Sequence, residues 1–257
     1  MITISENKVV FSEVERMLHA LHDGDKDYDD TVVVLGYNVA TYLPSKLRRE
    51  YPGKKLVVYQ LEQLFDRSKW ANKHTYTWLK NVDEIWEYDL SNLEWLKRNG
   101  FKPIYKPMEY CSALKEIDTT FKDIDILFYG YPTKRRLMIV GELMEKTWTA
   151  YSTVWATGVT GRNLQDLLGR SKIVLNVHAF LEDCRQEQVR IFYPVINGCC
   201  VVSEKSPHNE FGKSIVVCNT DKIAPTLKHV LDHELWKTVG ESAPEVYRKH
   251  CEERPKR

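Results

Sequence analysis

The sequence has no apolar run long enough to cross a bilayer as a helix, and its start lacks the basic residues and apolar stretch of a secretory signal. A cytoplasmic protein is expected. The six cysteines include no C-x-x-C pair, and Cys199 and Cys200 fall in an apolar run, so reduced thiols are expected rather than a disulfide framework or a zinc site. Glycine is scarce where a dinucleotide enzyme needs it. The apolar run Thr31–Leu35 is followed by Gly36 alone, which gives no G-x-G-x-x-G fingerprint and argues against nicotinamide or flavin chemistry. Net charge is nearly absent, at +1 over 257 residues, which by itself argues against a dedicated nucleic-acid binder.

Charge is nevertheless unevenly spread. Residues 1–36 carry 3 basic and 8 acidic side chains, whereas residues 37–80 carry 9 basic and 3 acidic, a net of +6 that could steer an anionic partner or simply be a solvated face. Hydrophobic residues make up 43% of the chain, enough for one core or two small ones.

Strand-like and helix-like segments alternate. Thr31–Leu35 and Ile124–Tyr129 read as strands buried on both faces, with further strands at 55–59, 84–88, 102–106, 148–155, 173–175, 199–202 and 214–218. Helices are expected from Ser12 and from Ser91, each with a glutamate three residues on as a capping box, at 45–50, 164–168 and 224–237, and again from Ser242. Residues 107–122 have no continuous period and read as a linker between two halves. The pattern predicts an α/β architecture with two parallel sheets.

Chemistry concentrates in three stretches. Residues 171–204 read as strand, helix, strand, with Asn176 and His178 after the first strand and Ser203 and Glu204 after the second, where such units hold ligands. Glu187 and Arg190, three apart, share a helix face. After the strand Ile124–Tyr129, Gly130 permits a tight exit, Pro132 or Thr133 opens a helix, and Lys134, Arg135 and Arg136 fill its first turn. Cations at a helix start are unfavourable without an anion, so this is a candidate phosphate site. In the third stretch, 59–78, Glu62 and Asp66 follow a strand, and Arg67, Lys69, Trp70, Lys73, His74, Tyr76 and Trp78 mix cations with aromatics, as nucleic-acid stacking would ask. Helical spacing equally allows several of those aromatics to be core.

Three metal-like patterns fail on inspection. Asp23, Asp25 and Asp27 alternate like the start of a calcium loop, but Tyr28 stands where glycine is required and Val34 where glutamate is required. His229 and His233 are four apart with no third ligand nearby in sequence. Asp123 and Asp125 form a D-x-D that precedes its strand and reads as a strand-entry turn.

The runs L-N-V-H (175–178), E-x-x-R-I (187–191) and G-x-x-V-V-S-E (198–204), with Y-Q-L-E-Q-L at 59–64, resemble GT-B glycosyltransferases, in particular small CgeB-like viral and bacterial members. The resemblance implies two Rossmann-like βα domains facing across a cleft: residues 1–110 on the acceptor side, 120–240 binding a nucleotide sugar, and 241–257 crossing back to the first. It implies transfer of a hexose or pentose from a nucleoside diphosphate donor, UDP-linked by preference, to an acceptor hydroxyl, with no cofactor and no metal, in a host's cytoplasm if the chain is viral. Glu187 would hold the ribose. Gly130, Tyr131, Arg135, Arg136, His178, Arg190, Ser203 and Glu204 complete the donor set, with Tyr193 standing where many relatives carry a second glutamate. Glu62 or Asp66 would be the base, and Lys69, Trp70, Lys73 and His74 would meet the acceptor. That acceptor is expected to be a hydroxymethylated pyrimidine in phage DNA or else a cell-envelope or viral glycan. A nucleotide- or glycan-binding module without turnover is the alternative of a different class.

Overall fold

The chain is described here from a computed structural model covering residues 1–7, 10–147, 150–180 and 184–255. It divides into two compact units, one ending at Met108 and the other beginning at Glu109.

The first unit alternates β1 (Ile2–Ser5), α1 (Ser12–Leu21), β2 (Thr31–Leu35), α2 (Pro44–Glu50), β3 (Lys55–Gln60), α3 (Lys73–Lys80), β4 (Glu84–Glu87), α4 (Leu90–Arg98) and β5 (Pro103–Tyr105). Its sheet is parallel and runs β1-β2-β3-β4-β5 in chain order. All five residues of β2 are buried, as its β-branched composition requires of a central parallel strand. Alternate residues Val32, Val34, Leu56, Val58 and Ile85 pack against Leu47 of α2, Trp78 and Leu79 of α3, and Trp95 and Leu96 of α4. Strand β1 was not legible in the sequence; its four residues are only half-buried, so no apolar run marks it.

Neither capping box forms. Ser12 is the first helical residue of α1 rather than its cap, and Glu15 accepts from the Thr3 hydroxyl instead. Helix α4 is capped two residues earlier than expected, by Asp89, whose carboxylate accepts from Asn92 N at 3.0 Å.

The second unit contains β6 (Ile124–Tyr129), α5 (Lys134–Thr147), β7 (Thr153–Ala156), α6 (Gly161–Arg170), β8 (Ser171–Asn176), α7 (Gln188–Ile196), β9 (Cys200–Glu204), β10 (Val216–Cys218), α8 (Ile223–Asp232) and α9 (Leu235–Glu253). Its parallel sheet runs β10-β9-β8-β6-β7. The expected strand 148–155 starts only at Thr153, and residues 148 and 149 lie outside the described residues. The single helix expected over 224–237 is two: the chain breaks at Glu234, which takes a left-handed φ of 52°, and α9 then continues through Pro244 rather than starting there. This last helix packs on α7 and β9 of its own unit. Much of the expected linker is fastened to the same unit, since Glu116 N and Ile117 N donate to Asn197 Oδ1 at 2.8 and 2.9 Å.

Candidate functional site

The order of the second sheet locates the site. After β6 the chain adds β7 on one side, then returns through α6 to add β8 on the other, so the winding reverses between β6 and β8. Loops leaving the carboxyl ends of such a pair diverge and leave room for a ligand. The loop after β6 carries Gly130 to Thr133 and leads into α5; Asn176 ends β8 and is followed by Val177 and His178. The first sheet, wound in strict sequence, has no such reversal.

Two carboxylates, Glu204 buried and Glu187 nearly so, organise this edge. Glu187, the residue before α7, receives Arg136 Nη2 at 3.0 Å and Ala179 N at 3.2 Å on one oxygen, and Asn176 Nδ2 at 3.0 Å and His178 Nδ1 at 2.8 Å on the other. That uses about four lone-pair sites, all that a carboxylate offers. Glu204 receives both terminal nitrogens of Arg135, the Thr220 hydroxyl, and His178 N at 3.0 Å. Arg136 is only 2% exposed and also donates to the carbonyls of Val177 at 2.8 Å and Tyr131 at 3.2 Å.

His178 Nδ1 faces Glu187 while Nε2 faces the Lys205 carbonyl at 3.2 Å, so both ring nitrogens meet acceptors and the imidazolium form fits. Burial opposes that charge, but Glu187 and Glu204 outweigh it and the pKa is raised. Burial likewise opposes ionisation of Glu187, yet His178, Arg190 and Arg136 hold it down to about 2. Burial, reinforced by Arg190, brings Arg136 down to about 10, still charged at neutral pH. Arg135, Arg136, Arg190 and His178 thus face Glu187 and Glu204, four cations against two anions.

Arg190 is the least committed of these cations. Half-buried, it donates from Nη1 to Asn176 Oδ1 at 3.2 Å and lies 6.0 Å from the Tyr129 ring. Gly130, at φ 143°, lets it in: a Cβ there would stand 2.7 Å from Arg190 Nη2.

The predicted donor residues therefore converge, but several are consumed within the protein. Arg135 and Arg136 do not stand open at the start of α5; each is held by a carboxylate brought from far along the chain. Ser203 and Glu204 lie inside β9 rather than after it, and Ser203 is fully buried, accepting from Asn176 Nδ2 at 3.1 Å. Tyr131 is 77% exposed, with its carbonyl turned to Arg136. Tyr193 is buried and donates to Glu116 at 2.6 Å. Thr220, on the second carboxylate, had no sequence signal, since a lone threonine in a turn carries none. It helps to line an open hollow of about 510 Å³ together with Glu204, Lys205, Pro207, Asn219 and Asp221.

At the carboxyl edge of the first sheet, Glu62 is fixed through its backbone: its carbonyl accepts from Gln60 Nε2 at 2.6 Å and Asn92 Nδ2 at 2.8 Å, and Gln60 in turn accepts from the Tyr37 hydroxyl at 2.8 Å. Burial raises the Glu62 pKa to about 7, against the opposing pull of Lys69 and a hydrogen bond from Trp70. Asp66 is exposed and accepts from Trp95 Nε1 at 2.9 Å. His74 is engaged with the Tyr37 carbonyl at 3.0 Å, and Lys69 lies 4.4 Å over the Trp70 ring.

The aromatics of that stretch are turned partly or wholly inward, with Trp70, His74 and Tyr76 half-buried. Trp78 is fully buried, and Tyr76 packs edge-on to Trp95 and tilted against Phe101. The basic excess is also partly neutralised by carboxylates: Lys46 by Glu50, Arg48 by Asp83, Lys54 by Asp30 and Lys55 by Glu84. Arg49, Arg67, Lys73 and Lys80 form no ion pair among the described residues.

Of the metal-like patterns, Asp123 pairs with Arg170 at 2.7 Å and Asp125 with Lys172 at 2.6 Å, while the His229 and His233 rings lie 4.6 Å apart, edge to face. Among the described residues no three His, Cys, Asp or Glu side chains cluster in a way that could hold a metal ion. No described helix is long and apolar enough to cross a membrane.

No protein-family model matches the chain, and no curated protein matches it. Solved structures do. The chain covers 73% of a sucrose-phosphate synthase from Thermosynechococcus elongatus with 94% of its own length, at 11% identity and a TM-score of 0.57. TarM is matched over 90% of this chain at 11% identity and a TM-score of 0.55, and an S. aureus TarM variant in complex with fondaparinux, α-GlcNAc-glycerol and UDP over 90% at 10% identity and a TM-score of 0.57. The fold is that of the GT-B glycosyltransferases. The chain spans only 55% of the length of the TarM chain.

Proposed function

We propose that the protein transfers a sugar from a nucleoside diphosphate donor, UDP-linked by preference, to an acceptor hydroxyl. One observation carries this: at the reversal point of the second sheet, four cations surround two carboxylates, leaving a positive excess of two, and among the described residues Arg190 is in no carboxylate ion pair. A departing diphosphate brings the matching negative charge, and fixed cations lower the barrier to its departure. Glu187 acts chiefly by holding Arg136 and His178, since its own lone pairs are filled. UDP is favoured because a TarM variant of the same fold binds it.

The acceptor oxygen forms its bond to the anomeric carbon as the bond from that carbon to the phosphate oxygen breaks, and the diphosphate leaves with the electron pair. Glu62 takes the hydroxyl proton. A carboxyl with a pKa of about 7 is half ionised near neutrality, where a general base works best, whereas Asp66 is tied to Trp95.

The acceptor we favour is a glycan hydroxyl, with a hexosyl donor. With Trp78 buried and Tyr76 packed against Trp95, the surface beside Glu62 keeps Arg67, Lys69 and Lys73 but offers a flipped base only the half-buried Trp70 ring, which Lys69 already covers.

Incubation with a panel of nucleotide sugars tests the reading: donor hydrolysis or transfer is expected, and thermal stabilisation without turnover would point instead to a binding module. Transfer to hydroxymethylcytosine duplex, falling steeply with salt, would restore DNA as acceptor.

A further inference from the structure

The donor-site carboxylate Glu187 is held from behind by the far end of the chain. Gln186, the residue before it, is 1% exposed, and its side-chain amide is used at both ends: Oε1 accepts from Glu210 N at 2.8 Å and Nε2 donates to Asn209 Oδ1 at 3.2 Å. The loop carrying Asn209 and Glu210 is itself clamped by the last turn of α9. Arg254 Nη2 donates to the Glu210 carbonyl at 3.0 Å, and its Nε lies 3.5 Å from the Glu210 carboxylate, with both side chains about 10% exposed. Gly212 turns the loop at φ 54° so closely over His250 that a Cβ would stand 2.8 Å from its Nδ1. The start of the same loop supplies a second post, because the Lys205 carbonyl faces His178 Nε2, and His178 is a partner of Glu187.

We infer that Gln186 and Arg254 are positioning residues for the nucleotide site: a strut running from the end of α9 through Glu210 to Gln186 fixes where Glu187 presents its carboxylate to Arg136 and His178. The strut rests on the proposed donor site but not on the identity of donor or acceptor. Its logic is that a binding constellation is only as well placed as the shell behind it, and a buried side-chain amide bonded at both ends allows little play. Gln186 and Arg254 both bond to the Asn209–Glu210 loop, so each acts through Glu187.

The test uses the full chain, with UDP as probe. Gln186→Leu and Arg254→Ala should each weaken UDP binding about ten-fold, the scale on which supporting hydrogen bonds act on a site, and Arg254→Lys should recover part of the loss. In a Glu187→Gln background, Gln186→Leu should have no further effect, because residues acting in series are not additive. The His178 ring resonances give a readout that needs no ligand: their titration should shift in Gln186→Leu if the Glu187 carboxylate has moved. Equal weakening in both backgrounds, or an unmoved His178 titration, overturns the strut. A wild-type chain that binds neither UDP nor any nucleotide sugar overturns the donor reading instead, and the His178 titration still decides the strut.

Discussion

Glu187→Gln removes the charge of the donor-side network while keeping its shape. Either orientation of the new amide sets its N–H groups against two donors, Asn176 Nδ2 and His178 Nδ1 on one side or Arg136 and Ala179 N on the other. Arg136, 2% exposed, would stay charged with no carboxylate on it. Breaking a buried ion pair from one side costs about 3–5 kcal/mol, and the two carbonyls Arg136 keeps place this variant near the lower end, at about 3 kcal/mol. A similar figure follows from the titration, since holding Glu187 at about 2 rather than 4.5 contributes about 3 kcal/mol at neutral pH. Because the folded pKa is depressed, that stability is fully present above the unfolded value of 4.5 and is lost as the pH falls toward 2. Urea denaturation at pH 7 should therefore show the variant less stable by about 3 kcal/mol, with the gap closing on acidification. A gap under about 1 kcal/mol at pH 7, within the range of ordinary surface substitutions, or one that widens in acid, would refute an ionised, mutually supporting network.

Arg190→Ala should weaken donor binding by about 1.5–3 kcal/mol, the scale of a charge-assisted hydrogen bond, while thermal stability stays near wild type. Gly130→Ala should reproduce that loss by displacing the guanidinium, and calorimetric titration showing unchanged affinity in both would remove Arg190 from the site. Glu62→Gln should lower kcat about 10²–10⁴-fold and Asp66→Asn far less, with wild-type activity rising as the pH passes about 7, because a base must be ionised to act; a profile flat between pH 5 and 8 would rule out Glu62 as the base. Turnover should persist in a chelator, and its complete loss with restoration by magnesium or manganese would show that a metal meets the diphosphate.

The sequence by itself determined the elements and the side on which the chemistry lies. Apolar runs such as Thr31–Leu35 and Ile124–Tyr129 read as buried parallel strands, and the polar residues that end or follow β6, β8 and β9 fall at carboxyl edges whatever the strand order. Elements whose apolar signal is weak, such as β1, escaped notice, as did the division of the C-terminal helices at Glu234, where the break lies in one residue's backbone rather than in a composition change. Only the tertiary structure decided the partners. Arg135 meets a carboxylate 69 residues away and Arg136 one 51 residues away because β8 and β9 lie on the side of β6 away from β7, and strand order is not written in local periodicity. Burial decided the rest: helical spacing allowed Trp78 and Tyr76 to be core or surface, and the first sheet buried Trp78 and half-buried Tyr76, whereas packing that withdrew water from the Glu62 carboxyl favours it over the exposed Asp66 as the proposed base.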